Sequence, residues 1–270
     1  MEDLKQLRDA IDAIDGTLLG LLNERASLAQ EIGRIKERNG SPVYAPERAE
    51  QLMRRLAARS TGPLDAQAIR SIYREIMSAS LALEKDTLIA CQGCVAGRTH
   101  FAAKQQFGSS VRYAFHAEPS ALFAAVASRA ADCGVIPSGE EGPEAAVLEL
   151  LMDGRVFLSS QIVLGGEEGA APSRYFVLGS TLNTPSGDDQ TALLFHLTDQ
   201  PGALASALEP LSAAGVNVIS IHSRQARSGG LHLFLEADGH ANDPLLVAAL
   251  ASLQVKGLSP TICGSYPRFH

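Results

Sequence analysis

Residues 7–48 read LRDAIDAIDGTLLGLLNERASLAQEIGRIKERNGSPVYAPER, and this stretch decides how the first third of the chain folds. Leu4, Leu7, Ile11, Ile14, Leu18, Leu21, Leu28, Ile32 and Ile35 recur at steps of three and four, the period of one helix face. The pattern predicts a single helix over 4–38, ~50 Å long at ~1.5 Å per residue. Two short companions cannot cover a stripe of that length, so a second copy of the chain is expected against it. Asn39-Gly40-Ser41-Pro42 ends the helix. A second helix is predicted from Pro46, a favourable first-turn residue, to Arg59. After the loop Ser60-Thr61-Gly62-Pro63, Asp65 caps a third helix reaching Lys85, with Ile69, Ile72, Tyr73, Ile76, Met77 and Leu83 as its stripe. Residues 1–86 therefore read as an all-α domain of three unequal helices.

Charges interrupt these stripes. Arg25 stands where its neighbours in the series are Leu or Ile, and a charge on a buried seam is costly unless paired. Alone, it reads either as a structural Arg, reaching the helix edge or held by a carboxylate of its own protein, or as a functional one. Lys36 returns to within about 20° of the same face, ~16 Å further along. Arg48 follows early on the second helix, and Ser80 and Glu84 share a face of the third at i, i+4. Polar groups thus enter the interior from all three helices, a cluster suited to a small polyanion. Arg8 is ~25 Å from Arg25 and about 100° round the helix, so it cannot serve the same pocket within one chain. It is either a solvated surface Arg or a residue delivered by an antiparallel partner helix.

Beyond Thr87 the texture changes. Short strands are expected at 88–90, 111–115, 133–136, 156–158 and 175–178, separated by helices at 100–107, 119–130 and 143–152, which makes 87–180 a small α/β lobe. Residues 181–190 read as a linker. The remainder, 191–270, reads strand, helix, strand, strand, helix, strand: a ferredoxin-like βαββαβ unit. Its strands are expected at 191–197, 216–223, 231–237 and 259–265, and its helices at 201–214 and 243–253. A net charge of −7 argues against a nucleic-acid surface. No apolar run is long enough for a membrane span, and MEDLKQLRDA lacks the apolar core of a signal peptide, so a cytoplasmic location is expected. Cys91-Gln-Gly-Cys94 has redox or half-zinc-site spacing without a second pair, and reads more simply as small apolar residues at a strand end; no metal is expected.

The stretch quoted above, followed by SIYREIMSASLALE over 71–84, resembles the all-helical chorismate mutase family along essentially all of residues 4–85. The resemblance implies that Arg25 and Arg48 grip the substrate's carboxylates and that Lys36 and Glu84 flank its ether oxygen. It further implies that Ser80 contacts the hydroxyl or carboxylate side and that Arg8 arrives from the other subunit of a homodimer. The implied substrate is chorismate and the implied reaction a Claisen rearrangement to prephenate, which needs no nucleophile, metal or cofactor. Ala45 and Ala49 depart from the pattern, where many relatives carry Asp and Glu. An isochorismate pyruvate-lyase would have a similar fold and pocket.

The continuation resembles the bifunctional chorismate mutase–prephenate dehydratase proteins, with the dehydratase motifs eroded. The opening motif reads Gly93-Cys94-Val95-Ala96-Gly97-Arg98-Thr99-His100. A second motif reads Pro137-Ser138-Gly139-Glu140 and a third Ser173-Arg174-Tyr175, where Ser173 and Arg174 are relics or anion binders. A second lobe is missing between Leu164 and Ser173, and a lone lobe is expected to provide no cleft. The last unit resembles a phenylalanine-sensing ACT domain through Gly202, Ala203 and Leu204 after Pro201. The match continues, altered, through Ser223 and Arg224 in His222-Ser223-Arg224-Gln225. Two roles are open for it, binding an aromatic amino-acid effector or only building the dimer. For the whole chain, the expectation is a mutase that has lost dehydratase activity. The alternatives are a residual or altered prephenate- or isochorismate-processing enzyme and a non-catalytic amino-acid sensor.

In this reading Glu84 can donate a hydrogen bond to the ether oxygen only when protonated. Mutase activity is expected to fall as pH rises and Glu84 ionises, and Glu84→Gln to flatten that fall. An unchanged pH–rate profile in the variant would remove Glu84 from the site.

Overall fold

The computed structural model describes residues 2–42, 44–139, 141–165, 172–227 and 229–268. Three helices come first: α1 (Glu2–Asn39), α2 (Pro46–Arg59) and α3 (Ala66–Glu84). Each end follows from its sequence. Gly40 takes a left-handed φ of 64° just past α1. Pro46 opens α2, and the Asp65 carboxylate accepts the Ala68 N–H at 2.7 Å to cap α3. Helices α1 and α3 cross closely at Gly33, where a Cβ would lie 2.8 Å from the Glu84 backbone. Only a residue without a side chain permits that approach, and it brings Glu84 beside Lys36, nearly one turn beyond Gly33.

Along α1 the apolar stripe is left largely uncovered by its own chain. Leu7, Ile11 and Ile14 are 63%, 56% and 64% exposed, and Leu18, Leu21, Leu28, Ile32 and Ile35 are exposed too.

The α/β lobe contains β1 (Leu88–Gln92), α4 (Arg98–Phe107), β2 (Arg112–His116), α5 (Pro119–Ala127), β3 (Cys133–Pro137), α6 (Ala145–Leu151), β4 (Phe157–Leu164) and β5 (Ser173–Gly179). Its sheet runs β2-β1-β3-β5-β4, with the first three strands parallel and β5 antiparallel to both neighbours. Strand β4 is longer than expected from sequence. Its interior Ser159, Ser160 and Gln161 read as polar, yet both serines are buried. The place where a second lobe is expected to be missing lies mostly outside the described residues, as does Glu140.

The C-terminal unit is β6 (Asp189–Leu197), α7 (Ala203–Ala213), β7 (Val218–Gln225), β8 (Leu231–Asp238), α8 (Pro244–Val255) and β9 (Thr261–Pro267). Its antiparallel sheet, β7-β8-β6-β9, has the ferredoxin-like order. Helices α7 and α8 cover one face over Leu193, Phe195, Leu197, Leu233 and Leu235. The alternate residues Ala192, Leu194, Phe234, Cys263 and Tyr266 enter a core shared with Phe176, Leu178, Leu148 and Leu122 of the α/β lobe. The two units are therefore joined by one apolar interior.

The segment 181–190 differs from the linker expected. Strand β6 begins within it, and the residues before β6 lie across α2. Thr184 Oγ1 donates to Glu47 Oε1 at 3.1 Å, Gln51 Nε2 donates to the Ser186 carbonyl at 3.4 Å, and Arg54 pairs with Asp188 at 3.4 Å. Asn183 Nδ2 donates to the carbonyls of Ser159 and Ser265, both at 2.8 Å. Turn-forming residues produce a strap here because their side chains find partners on three elements.

Where β9 meets β4, Gly264 has φ 154° and a Cβ there would fall 2.1 Å from the Leu158 carbonyl oxygen. Gly264→Ala is expected to lower stability by about 2–3 kcal/mol through this clash. Urea unfolding of the variant checks it, and an unchanged midpoint would mean that the sheets do not meet at this residue.

Candidate active site

All three helices, together with the α1–α2 loop and the end of α4, enclose a cavity of about 550 Å³. Arg25, Lys36, Arg48, Ser80 and Glu84 line it, so the structure gathers the five residues that the sequence reading assigned to one pocket in one chain. Leu28, Ile32, Leu52, Met77 and Leu81 supply the apolar walls. The Arg25 guanidinium donates through Nη1 to Ser80 Oγ, whose hydroxyl donates in turn to the Ile76 carbonyl at 2.8 Å. Lys36 Nζ lies 3.1 Å from Glu84 Oε2. Arg25 is half-buried and Arg48 exposed at the rim.

Three cations and one carboxylate on the wall leave a formal surplus of two positive charges when Glu84 is ionised. That surplus sits within a chain whose net charge is −7. A half-enclosed, partly apolar setting screens charges less than open water does, so the pocket favours a small dianion. Arginine also offers paired donors that match a carboxylate edge to edge.

Arg8 is exposed on α1 and does not line this cavity. The sequence reading missed Tyr44, Gln106 and Phe107, which complete the wall from the α1–α2 loop and from α4. Gln106 and Phe107 belong to a different structural unit, and periodicity within the helical domain carries no signal for them.

Residues 7–85 match the family model described as chorismate mutase type II, and residues 191–254 match the ACT domain model. A bifunctional chorismate mutase/prephenate dehydratase from Aquifex aeolicus is 28% identical over 357 positions, covering 99% of this chain and 99% of the relative. The chain belongs to the bifunctional chorismate mutase/prephenate dehydratase family. The comparison spans 357 positions against 270 residues, so the Aquifex relative carries segments that this family member lacks. Two solved structures share the fold of 67% of the chain. One is prephenate dehydratase from Arthrobacter aurescens in complex with L-Phe, with a TM-score of 0.59, 18% identity and 90% of that chain covered. The other is GqqA, described as a quorum quenching acylase, with a TM-score of 0.58, 24% identity and 95% of that chain covered. At these identities the likeness speaks for the fold alone.

Family motifs elsewhere in the chain are also placed. Ser173 and Arg174 open β5 and line a second cavity of about 630 Å³ with Arg98, Thr99 and Ser138. The expectation that a lone lobe provides no cleft is corrected here. His222, Phe234 and Glu236 of the ACT sheet form part of this cavity's wall, because that sheet packs against the lobe. Glu236 is buried and accepts hydrogen bonds from Ser220 Oγ at 2.7 Å, from Gln190 Nε2 at 3.3 Å and from the Tyr266 hydroxyl.

In the ACT unit Gly202 adopts φ 86° at the start of α7, followed by half-buried Ala203 and exposed Leu204. Ser223 is in register with Leu233, whose side chain enters the helix-side core. Arg224, one residue on, lies towards the opposite face and donates to the Glu141 carbonyl at 2.7 Å. The five residues read as a regulatory set thus divide between two faces of the sheet. All four cysteines are free. Burial pushes the Cys91 thiol up to about 12 and raises those of Cys133 and Cys263 as well, while Cys94 is exposed. Among the described residues no helix is long and apolar enough to cross a membrane.

Proposed function

We propose that the helical cavity rearranges chorismate to prephenate, and that this is the activity the protein retains. The observation carrying the proposal is the convergence of Arg25, Lys36, Arg48, Ser80 and Glu84 on one cavity from all three helices. Chorismate carries two carboxylates, and the cations of the cavity outnumber its one carboxyl group by two. Arg25 and Arg48 would hold those carboxylates, with Ser80 fixing the Arg25 fork. Lys36, with Glu84 when protonated, would donate to the ether oxygen as the C–O bond breaks.

The reaction is unimolecular, so two effects suffice. Holding the flexible enolpyruvyl arm over the ring removes much of the entropy barrier. Fixed donors at the ether oxygen stabilise the charge that develops there more than they stabilise the ground state. The protein needs neither a nucleophile nor a cofactor for this step.

The exposed stripe of α1 supports a homodimer. Fully burying a Leu or Ile side chain is worth about 1.5–3 kcal/mol, and several of them stand open in a row. An antiparallel partner along α1 would cover the stripe and carry its Arg8 to the far cavity. A cytoplasmic location accords with this metabolic role, and the ACT unit would take an aromatic amino-acid effector.

The second cavity favours a further reading, a prephenate-processing or anion-binding site at Thr99, Ser173 and Arg174. We favour loss of dehydration there, because ACT strands occupy part of the wall and the third motif opens with Ser173. One assay separates these readings. The wild-type chain is expected to consume chorismate and to form no phenylpyruvate from prephenate, and Arg25→Ala to lower mutase kcat/KM at least about 100-fold. Equal activity in the two proteins would overturn the helical site, and phenylpyruvate would restore the dehydratase reading.

A further inference from the structure

The helical cavity is not closed by helical residues alone. Tyr44, in the loop between α1 and α2, places its ring edge-on to Phe107 of α4, with centroids 4.9 Å apart. Its hydroxyl lies 3.4 Å from Ser160 Oγ of β4 and receives the Gln106 Nε2 hydrogen bond at 2.7 Å. Burial pushes the Tyr44 phenol up, so it stays neutral. The loop leading to Arg48 is thereby pinned to the α/β lobe, and Gln106 is held at the cavity wall in one orientation.

The other end of that amide is an acceptor that the pocket's own hydrogen bonds leave unused. Arg25, Lys36 and Arg48 can only donate. Ser80 already receives Arg25 and donates to Ile76. Ser78 Oγ receives the Ser110 N–H at 3.0 Å, and Glu84, one of whose oxygens is paired with Lys36, is assigned to the ether oxygen in the mutase reading. Ala45 and Ala49 present methyl groups. The Gln106 carbonyl oxygen makes no hydrogen bond among the described residues. A ligand with two carboxylates and one hydroxyl satisfies the cations with its carboxylates, and its hydroxyl still requires an acceptor.

We propose that Gln106, from the α/β lobe, is a positioning residue of the mutase pocket, its side-chain carbonyl accepting the hydrogen bond of the substrate's ring hydroxyl. The inference rests on the mutase reading above and deepens it. The active site then spans two structural units, and the helical domain alone lacks one of its substrate contacts.

The test uses the full chain as wild type, Gln106→Ala and the near-isosteric Gln106→Met. Chorismate turnover is compared with competitive inhibition by an analogue that lacks the ring hydroxyl. Each variant is expected to raise KM for chorismate about tenfold with a smaller change in kcat, and to leave the inhibition constant of the analogue within about twofold of wild type. Equal weakening of chorismate and analogue would show that Gln106 only supports the wall, and would overturn the proposal. Unchanged KM in both variants would overturn it as well. Failure of the mutase reading is recognised separately: the wild-type chain would then turn over no chorismate, and this assignment would fall with it.

Discussion

A helix of 38 residues with an apolar stripe along its length cannot be covered by companions of 14 and 19 residues. That mismatch governs the helical domain. Where α3 meets α1, the crossing at Gly33 sets Glu84 against Lys36, and Arg25 reaches Ser80 across the same seam. Charge within an apolar seam is tolerated because each group is paired and the seam opens into a cavity. Over the rest of α1 the leucines and isoleucines stand open to whatever covers them. The same stripe thus builds a pocket at one end and stands exposed at the other.

The rest of the chain is tied to this domain more closely than its order in sequence suggests. Residues from 183 to 188 strap α2 to β4 and to the ACT sheet through Asn183, Thr184, Ser186 and Asp188. Arg268 links the end of the chain to Asp238 and lies 3.7 Å from Asp188. On the other side, Tyr44 enters the α/β lobe against Phe107. The ACT sheet, buried on both faces except along its edge strand β7, where Ile219 and Ile221 are exposed, shares its interior with that lobe. The segment that leads into the ACT sheet thus touches α2, whose Arg48 and Ala49 border the cavity.

Local pattern made the elements legible, and long-range pairing hid the rest. The spacing from Leu4 to Ile35 declared α1, and Asp65 and Pro46 marked helix starts that the structure shares. Arg25, Lys36, Arg48, Ser80 and Glu84 were readable as one cluster because helical geometry fixes their faces. Strand β4 was read short because Ser159 and Ser160 look like loop residues, and their burial depends on packing that is distant in sequence. The strap was read as a linker for the same reason: Thr184 and Asn183 resemble turn residues until their partners at Glu47, Ser159 and Ser265 are known. Gln106 and the ACT wall of the second cavity were illegible, since each depends on how one unit docks on another.

We propose that each mutase pocket combines Arg25, Lys36, Arg48, Ser80 and Glu84 of one chain with Arg8 of a second copy. Mixed dimers test it most directly. Arg8→Ala and Arg25→Ala chains are each prepared alone, then unfolded together and refolded as a mixture. A heterodimer of the two carries both substitutions in one pocket and none in the other, so a statistical mixture is predicted to recover about one quarter of wild-type mutase activity. A mixture no more active than its parents, or an Arg8→Ala protein as active as wild type, would contradict the shared pocket.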